Sequence, residues 1–404
     1  MKKHTSKMLL KPALLAVAIA SSQGAIADEF TEALTGGKAF GDIRLRYESV
    51  EQDNALKDAD ALIVRTRLGY TTGGFKNFSA TLEIEDSSVI GDNDYNGITE
   101  GDSSYSVIAD PETTEVDQAF IQYKTDMGQI KYGRQVIALD NQRFIGHVGW
   151  RNDRQTFTGL SAAYTKIENL TVSYAYIFER NRILAEEADI DSKDHLLNIG
   201  YKTSLGKVSA YAYLLEQDDA TELSFDTYGV SFTGSKKSDD ITFHYAAEYA
   251  TQEKSAKGTS DQDADYLKLE GGITISGITA KLGYEVLGSD SGTYGFSTPL
   301  ATGHKFNGWS DQFLTTPVQG LQDTYVSVGG SAFGGKYAVI YHDFEADDSS
   351  ATVDDLGDEW NLVYSKKFGK HYSAGVKYAM YDAGDSTAGK VDTDKLWVWG
   401  GIKF

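Results

Sequence analysis

Apolar and polar residues alternate with a period of two through most of the chain. Ile43, Leu45 and Tyr47 alternate with Asp42, Arg44, Arg46 and Glu48. Leu62, Val64, Leu68 and Tyr70 alternate with Arg65 and Arg67, with Thr66 on the apolar side. Phe78, Ala80, Leu82 and Ile84 alternate with Ser79, Thr81, Glu83 and Glu85, and the same rhythm returns at 170–178, 241–249, 278–286 and 372–380. Each such run is a strand with one apolar and one polar face. The pattern predicts 18 strands, near 38–50, 60–71, 77–87, 115–125, 128–137, 155–166, 169–180, 194–204, 207–217, 222–234, 239–252, 263–275, 278–288, 321–330, 335–346, 357–367, 370–382 and 394–404. Boundary uncertainty of about 2–4 residues leaves 16 as the alternative count.

Soluble sandwiches alternate too, so three further features decide the environment. The strands run about 10–12 residues, long enough to cross a bilayer at a tilt, whereas soluble strands average about 5–6. Tyrosines gather near strand ends, as at membrane interfaces. The links alternate between tight turns, at Gly73-Gly74, Thr125-Asp126-Met127, Glu168-Asn169, Gly206, 235–238, Gly277, Gly334-Gly335 and Gly369, and longer loops, notably 88–114, 138–154 and 288–320. Hydrocarbon offers no hydrogen-bond partners, so a sheet crosses it only when closed on itself. The expected fold class is therefore all-β, an antiparallel up-and-down transmembrane barrel with short periplasmic turns and long external loops. At this width a barrel encloses an aqueous passage unless loops fold inside.

Both ends of the chain agree with this reading. Lys2, Lys3, Lys7 and Lys11 precede an apolar run, Ala13 to Ala20, and Ala25-Ile26-Ala27 offers small residues for a signal peptidase. Cleavage is expected after Ala27, leaving 28–404 as a single barrel domain. Losing four lysines from a chain of formal charge −21 leaves −25. The chain has no cysteine, so no disulfide stabilises it after export. At the far end Leu396, Val398, Ile402 and Phe404 share one strand face, with Lys395 and Lys403 on the other. The terminal Phe404 resembles the signal read by the bacterial barrel-assembly machinery.

Two stretches carry a family resemblance. The first is Tyr132-Gly133-Arg134-Gln135, Leu139-Asp140-Asn141-Gln142-Arg143-Phe144-Ile145-Gly146, Trp150-Arg151 and Gln155-Thr156-Phe157. The second runs from Phe296 to Trp309 and continues as Phe313-Leu314-Thr315-Thr316-Pro317. Together they resemble bacterial alginate-export-like porins. That resemblance implies an 18-stranded outer-membrane channel and leaves its cargo open.

Charged positions on the inward face and in the loops are the candidates for choosing a solute. Loop 138–154 is expected to fold inward and carries Asp140, Asn141, Arg143, His147, Arg151 and Arg154, close to Arg134 on the preceding strand. Guanidinium forks at Arg143 and Arg151 suit a carboxylate or phosphate, or else pair with Asp140, Asp153 or wall carboxylates and pin the loop. Arg44, Arg46, Arg65 and Arg67 should point into the lumen, as should Glu83 and Glu85. They either set a field across the pore or form a rigid arginine–glutamate ladder. On loop 288–320, His304, Phe306, Trp309 and Phe313 either stack on a passing ring or anchor the loop. The acidic segments 88–114 and 346–358 are expected outside, against lipopolysaccharide.

Other chemistries find little support. The acidic balance argues against nucleic-acid binding. Asp92, Asp94, Asn96 and Gly97 imitate half of a calcium loop, but Ser103 stands where the bidentate glutamate belongs. No cofactor motif, metal-ligand spacing or nucleophile elbow appears, and the six histidines after Ala27 fall in no catalytic pattern. The expectation is a porin passing small hydrophilic, anionic or sugar-like solutes, with a homotrimer among its possible assemblies. The alternatives are a structural or adhesive barrel and, further off, a barrel hydrolase.

Overall fold

The structure, a computed structural model, describes residues 24–91, 94–350 and 352–404. Eighteen antiparallel strands follow one another: β1 (Lys38–Gln52), β2 (Ala59–Thr71), β3 (Phe78–Val89), β4 (Thr113–Thr125), β5 (Gly128–Gln135), β6 (Thr156–Tyr164), β7 (Leu170–Asn181), β8 (Ile190–Lys202), β9 (Lys207–Glu216), β10 (Ser224–Ser238), β11 (Ile241–Ser255), β12 (Gln262–Ile275), β13 (Ile278–Leu287), β14 (Leu321–Ala332), β15 (Gly335–Glu345), β16 (Asp355–Phe368), β17 (Tyr372–Asp382) and β18 (Thr393–Lys403). Each pairs with the next, and β18 pairs back onto β1 from Asp42↔Lys403 to Gln52↔Thr393. The sheet is closed, so no edge meets hydrocarbon.

Burial runs opposite to that of a soluble protein. Leu82 is 51% exposed while its neighbour Glu83 is 5% exposed. Leu45, Leu68, Leu160, Leu269 and Leu282 face outward, whereas Arg46, Glu48, Arg65 and Arg67 are buried on the inner face. An apolar exterior around a charged interior fits lipid outside and water inside. Phe78, Tyr123, Tyr164, Tyr201, Phe368 and Tyr372 are exposed at the strand ends that meet the short turns, where they form an interfacial belt. No helix among the described residues is long and apolar enough to cross a membrane; the crossing is made by strands.

The strand count is 18, and the turns fall where the pattern predicts, with one correction. The link predicted at 235–238 belongs to β10, and the chain reverses at Asp239-Asp240, with Asp239 at φ 54°. Lys236 and Lys237 look like loop residues, but at a membrane rim they remain in the ladder with their charged ends in water.

A helix, α1 (Gly24–Thr35), precedes the barrel and runs across the predicted cleavage point after Ala27. Its later part lies against the β2–β3 turn. Phe30 meets Phe75 edge-on at 5.5 Å, and the Tyr70 hydroxyl donates to the Leu34 carbonyl at 2.7 Å. The export segment itself lies largely outside the described residues.

Candidate functional site: a lumen narrowed by inward loops

Three external loops turn into the barrel: L2 (90–112), L3 (136–155) and L7 (288–320). L3 is bolted to the wall by the inward arginines of β1 and β2, whose alternation aims them at it. Arg44 donates to the carbonyls of Trp150 at 2.8 Å and Arg151 at 3.0 Å, and to Asn152 Oδ1 at 2.8 Å. Arg46 donates to Trp150 O at 2.5 Å, and Arg67 to Asn152 O at 2.7 Å. Arg65 instead pairs with Asp42 at 2.6 Å. These bonds satisfy loop carbonyls that would otherwise be buried without partners.

Asp110 of L2 sits at the centre of this network. Its carboxylate meets Arg46 and, at 3.2 Å, Arg151, and accepts from the Asn152 amide at 2.6 Å. Arg151 also meets Glu48 at 3.1 Å and Asp311 of L7 at 2.9 Å. One guanidinium thus ties L2, L3, L7 and the β1 wall together, which its planar fork permits and a lysine would not.

Arg143, deeper in L3, pairs with Glu285 of β13 and donates to Asn307 Oδ1, each at 2.9 Å. Asp140 faces the β8–β9 wall, where it accepts from Asn198 at 2.6 Å, Lys207 at 2.5 Å and Ser209 at 3.0 Å. Arg154 bridges Asp117 and Glu83, and Arg134 meets Glu115 at 2.9 Å.

The L7 residues divide. His304 stacks on Trp150 with centroids 5.1 Å apart and planes at 8°. Its Nδ1 lies 2.6 Å from Asp311, and its Nε2 lies 2.6 Å from the Lys377 ammonium. Burial pushes the His304 imidazole down to about 3, against the pull of Asp311 and with the push of Lys377, so the ring is neutral. It donates to Asp311 through Nδ1 and accepts from Lys377 at Nε2. The Lys377 ammonium is enclosed by Trp309 at 3.7 Å, Trp150 at 4.4 Å and Trp397 at 5.2 Å. Each such contact contributes about 0.5–2 kcal/mol, so this cage fastens both loops to β17 and β18. Phe313 is buried against Phe344 at 4.5 Å and anchors the loop. Phe306 is only half-buried, with Arg143, Lys268 and Lys305 around its ring. Phe144 fills the junction of the two loops, among Tyr211, Tyr266 and Phe296.

The inward charges make the contacts of an arginine–glutamate ladder: Glu85 pairs with Arg67 on the adjacent strand, and Glu83 pairs with Arg154 of L3. One expectation about charge needs correction. Segment 88–114 is not wholly external: Asp110 is fully buried, and Tyr95 and Ile108 pack against Val50, Ala59, Ala61 and Ile63.

Asp110, Glu48, Trp150, Asp311 and Lys377 carry much of the lumen, yet none of them was singled out as a pore residue from the sequence. Glu48 and Lys377 were accessible, since each shares the inward parity of its strand. Asp110 and Asp311 sit in loops, where parity says nothing. Among the described residues no group of metal-ligating side chains is assembled, and Asp92 of the calcium look-alike lies outside them.

The family model described as alginate export matches residues 37–287. No curated protein matches the chain significantly. Among solved structures the chain is similar to OccAB4 of Acinetobacter baumannii, at 14% identity and TM-score 0.75, covering 91% of this chain and 98% of that one. OpdK of Pseudomonas aeruginosa, solved with vanillate, matches at 13% identity and TM-score 0.70 over 91% and 98% of the two chains. A BenF-like porin from Pseudomonas fluorescens Pf-5 matches at 12% identity and TM-score 0.71 over 92% and 100%. At these identities the likeness is one of fold.

Proposed function

The chain belongs to the alginate-export family, and from that premise we propose that it is an outer-membrane porin through which small hydrophilic solutes diffuse passively, with a mild preference for anions. The observation that carries this reading is the combination of a closed apolar exterior with a charged lumen narrowed, at L3 and L7, by loops that the wall itself holds in place. Most luminal arginines are committed to carboxylates and so act as fasteners. The anion preference rests on cations without a carboxylate within ion-pair distance among the described residues. Lys268 and Lys305 flank the half-buried Phe306, and Arg44 meets only carbonyls and an amide oxygen. Cations lining a narrow passage lower the barrier for anions.

Planar-bilayer recording of the purified protein tests both parts. Discrete open steps are expected, with a reversal potential in a salt gradient displaced toward the anion side. Lys268→Gln with Lys305→Gln should shift it toward cations. A bilayer that stays sealed would favour the alternative of a structural or adhesive barrel, a reading that the apolar packing around Phe144 would then explain. Clear cation selectivity, unmoved by the double substitution, would refute the preference.

Processing after Ala27, recognition of the C-terminal strand by the assembly machinery and contact of the acidic outer loops with lipopolysaccharide complete the proposal. The mass of the detergent-solubilised protein distinguishes a monomer from a homotrimer.

A further inference from the structure

Strands β14 to β18 change sign along their length. Their external ends carry Asp343, Glu345, Asp355, Asp358, Asp382 and Asp394, whereas residues 324–342, 360–381 and 395–404 contain no acid. Near the short turns those stretches place Lys336, Lys366, Lys367 and Lys370. Ion pairs in these stretches are made by His342, Lys395 and Lys403, and among the described residues those four lysines make none. Lys366 shares the outward parity of Trp360 and Leu362, so it faces lipid and not the lumen. Its ammonium reaches down to the Phe333 carbonyl at 2.9 Å, and the Tyr364 hydroxyl lies 3.2 Å from the Ala332 carbonyl oxygen. A lysine on this face keeps its charge only by bringing it to headgroup depth. Phe333 tops the β14–β15 turn at φ 52° and is 92% exposed, and Gly334 follows at φ 78°. Two successive positive φ angles suit Asn-Gly, and a phenylalanine in the first position is strained. The turn thus carries a ring that its backbone disfavours and the barrel does not bury. Phe368 and Tyr372, paired in register, and Phe404 stand exposed along the same rim.

We propose that this periplasmic rim binds anionic phospholipid of the inner leaflet. The lipid phosphate sits on Lys366 with Lys336 and Lys370 alongside, Phe333 inserts among the headgroups, and the acyl chains lie over Leu362 and Val376. Each lysine near an anionic surface strengthens binding by about fivefold. A zwitterionic headgroup brings its own ammonium and forfeits most of that gain. An aromatic ring at headgroup depth is stabilised there, which repays the strain of the turn. Lys366 decides against a soluble acidic partner, because its outward face is covered by lipid and closed to a protein in the periplasm. The inference goes beyond solute passage and holds whichever solute the channel takes.

The test is native mass spectrometry of the purified barrel, released from micelles doped equally with phosphatidylglycerol and phosphatidylethanolamine of matched chains. Phosphatidylglycerol should be retained at least about tenfold better. The combined change Lys336→Gln, Lys366→Gln and Lys370→Gln should bring the two lipids to parity. Lys366→Gln alone, with a loss of about fivefold, stands should the triple variant fail to fold. Phe333→Asn should weaken retention while the barrel melts no lower, since asparagine suits the turn; a ring that served only the fold would lower the melting temperature instead. Lys236→Gln with Lys237→Gln, at the β10–β11 turn, removes charge from the same end of the barrel and should leave retention within about twofold. Equal retention of the two lipids would overturn the site, as would a preference untouched by the triple variant or lost equally in the Lys236/Lys237 variant. Displacement of the lipid by glycerol 3-phosphate would assign the lysines to a free phosphate. Sedimentation with peptidoglycan in the absence of any lipid preference would assign the rim to the cell wall, and either result refutes the proposal.

Discussion

At the residue scale, the lumen is organised by a few buried charges. Asp110 has three donors, and two of them are guanidinium groups. Asp110→Asn keeps the shape but removes the charge, leaving Arg46 and Arg151 short of a partner. Breaking a buried pair costs about 3–5 kcal/mol, and Glu48 offsets part of that here. Looser L3 packing is expected, read as faster proteolysis within 136–155 and a noisier open level. Asp153 gives a pH dependence. Burial above all, with Glu115 and Glu85 nearby and Asp189 also contributing, pushes its carboxyl up to about 9, against the opposing Ala185 amide at 3.1 Å. An acid raised on folding contributes stability that is complete below its ordinary value near 3.8 and is lost as pH rises through about 9. The contact between L3 and the 182–189 loop should therefore weaken across that range. Open-channel noise recorded from pH 5 to 10 should grow with pH in the wild type and stay flat in Asp153→Asn.

At the scale of elements, L3 and L7 act as one body. The Gly146 amide donates to the Leu300 carbonyl at 2.8 Å, and the Thr302 amide to the Gln142 carbonyl at 3.1 Å. A Cβ on Gly146 would stand 2.2 Å from Thr302 Oγ1 and 2.9 Å from its backbone nitrogen. Backbone on one side leaves little room to adjust. Gly146→Val should part the loops, and single-channel conductance should rise while the folded barrel survives. Unchanged conductance would mean that the junction does not limit flow. The resemblance noted in the sequence falls on these two loops, but that they bind each other was not visible there, because residues about 155 positions apart meet only after the barrel has closed.

At the scale of the whole molecule, closure depends on the β1–β18 seam. Gly41 and Phe404 exchange backbone hydrogen bonds at 3.0 Å, and a Cβ on Gly41 would meet the Phe404 ring at 2.4 Å. The terminal aromatic therefore clamps the last strand over the first, in addition to any role as an assembly signal. Phe404→Ala and Gly41→Val should both lower the yield of heat-modifiable barrel. A loss confined to cells, with refolding of the pure variants intact, would assign Phe404 to recognition alone.

The two-residue period determined which face each strand side chain takes, and with strand length and the alternation of short and long links it pointed to a closed barrel of 18 strands, with 16 as the alternative, because strand parity is local and the bilayer demands a strict inside and outside. Arg44, Arg46, Arg65, Arg67, Glu83 and Glu85 were placed on the inner face by parity alone, and Lys377 and Glu48 could have been. The tertiary structure decided their partners. Arg67 meets Glu85 and not the opposite wall, Asp110 leaves an acidic loop for the interior, and Lys377 enters a cage built from L3, L7 and β18. Those outcomes depend on where loops fall once the sheet has curled. Loop residues have no period to reveal it, and an ion pair is fixed by distances that only the closed barrel defines.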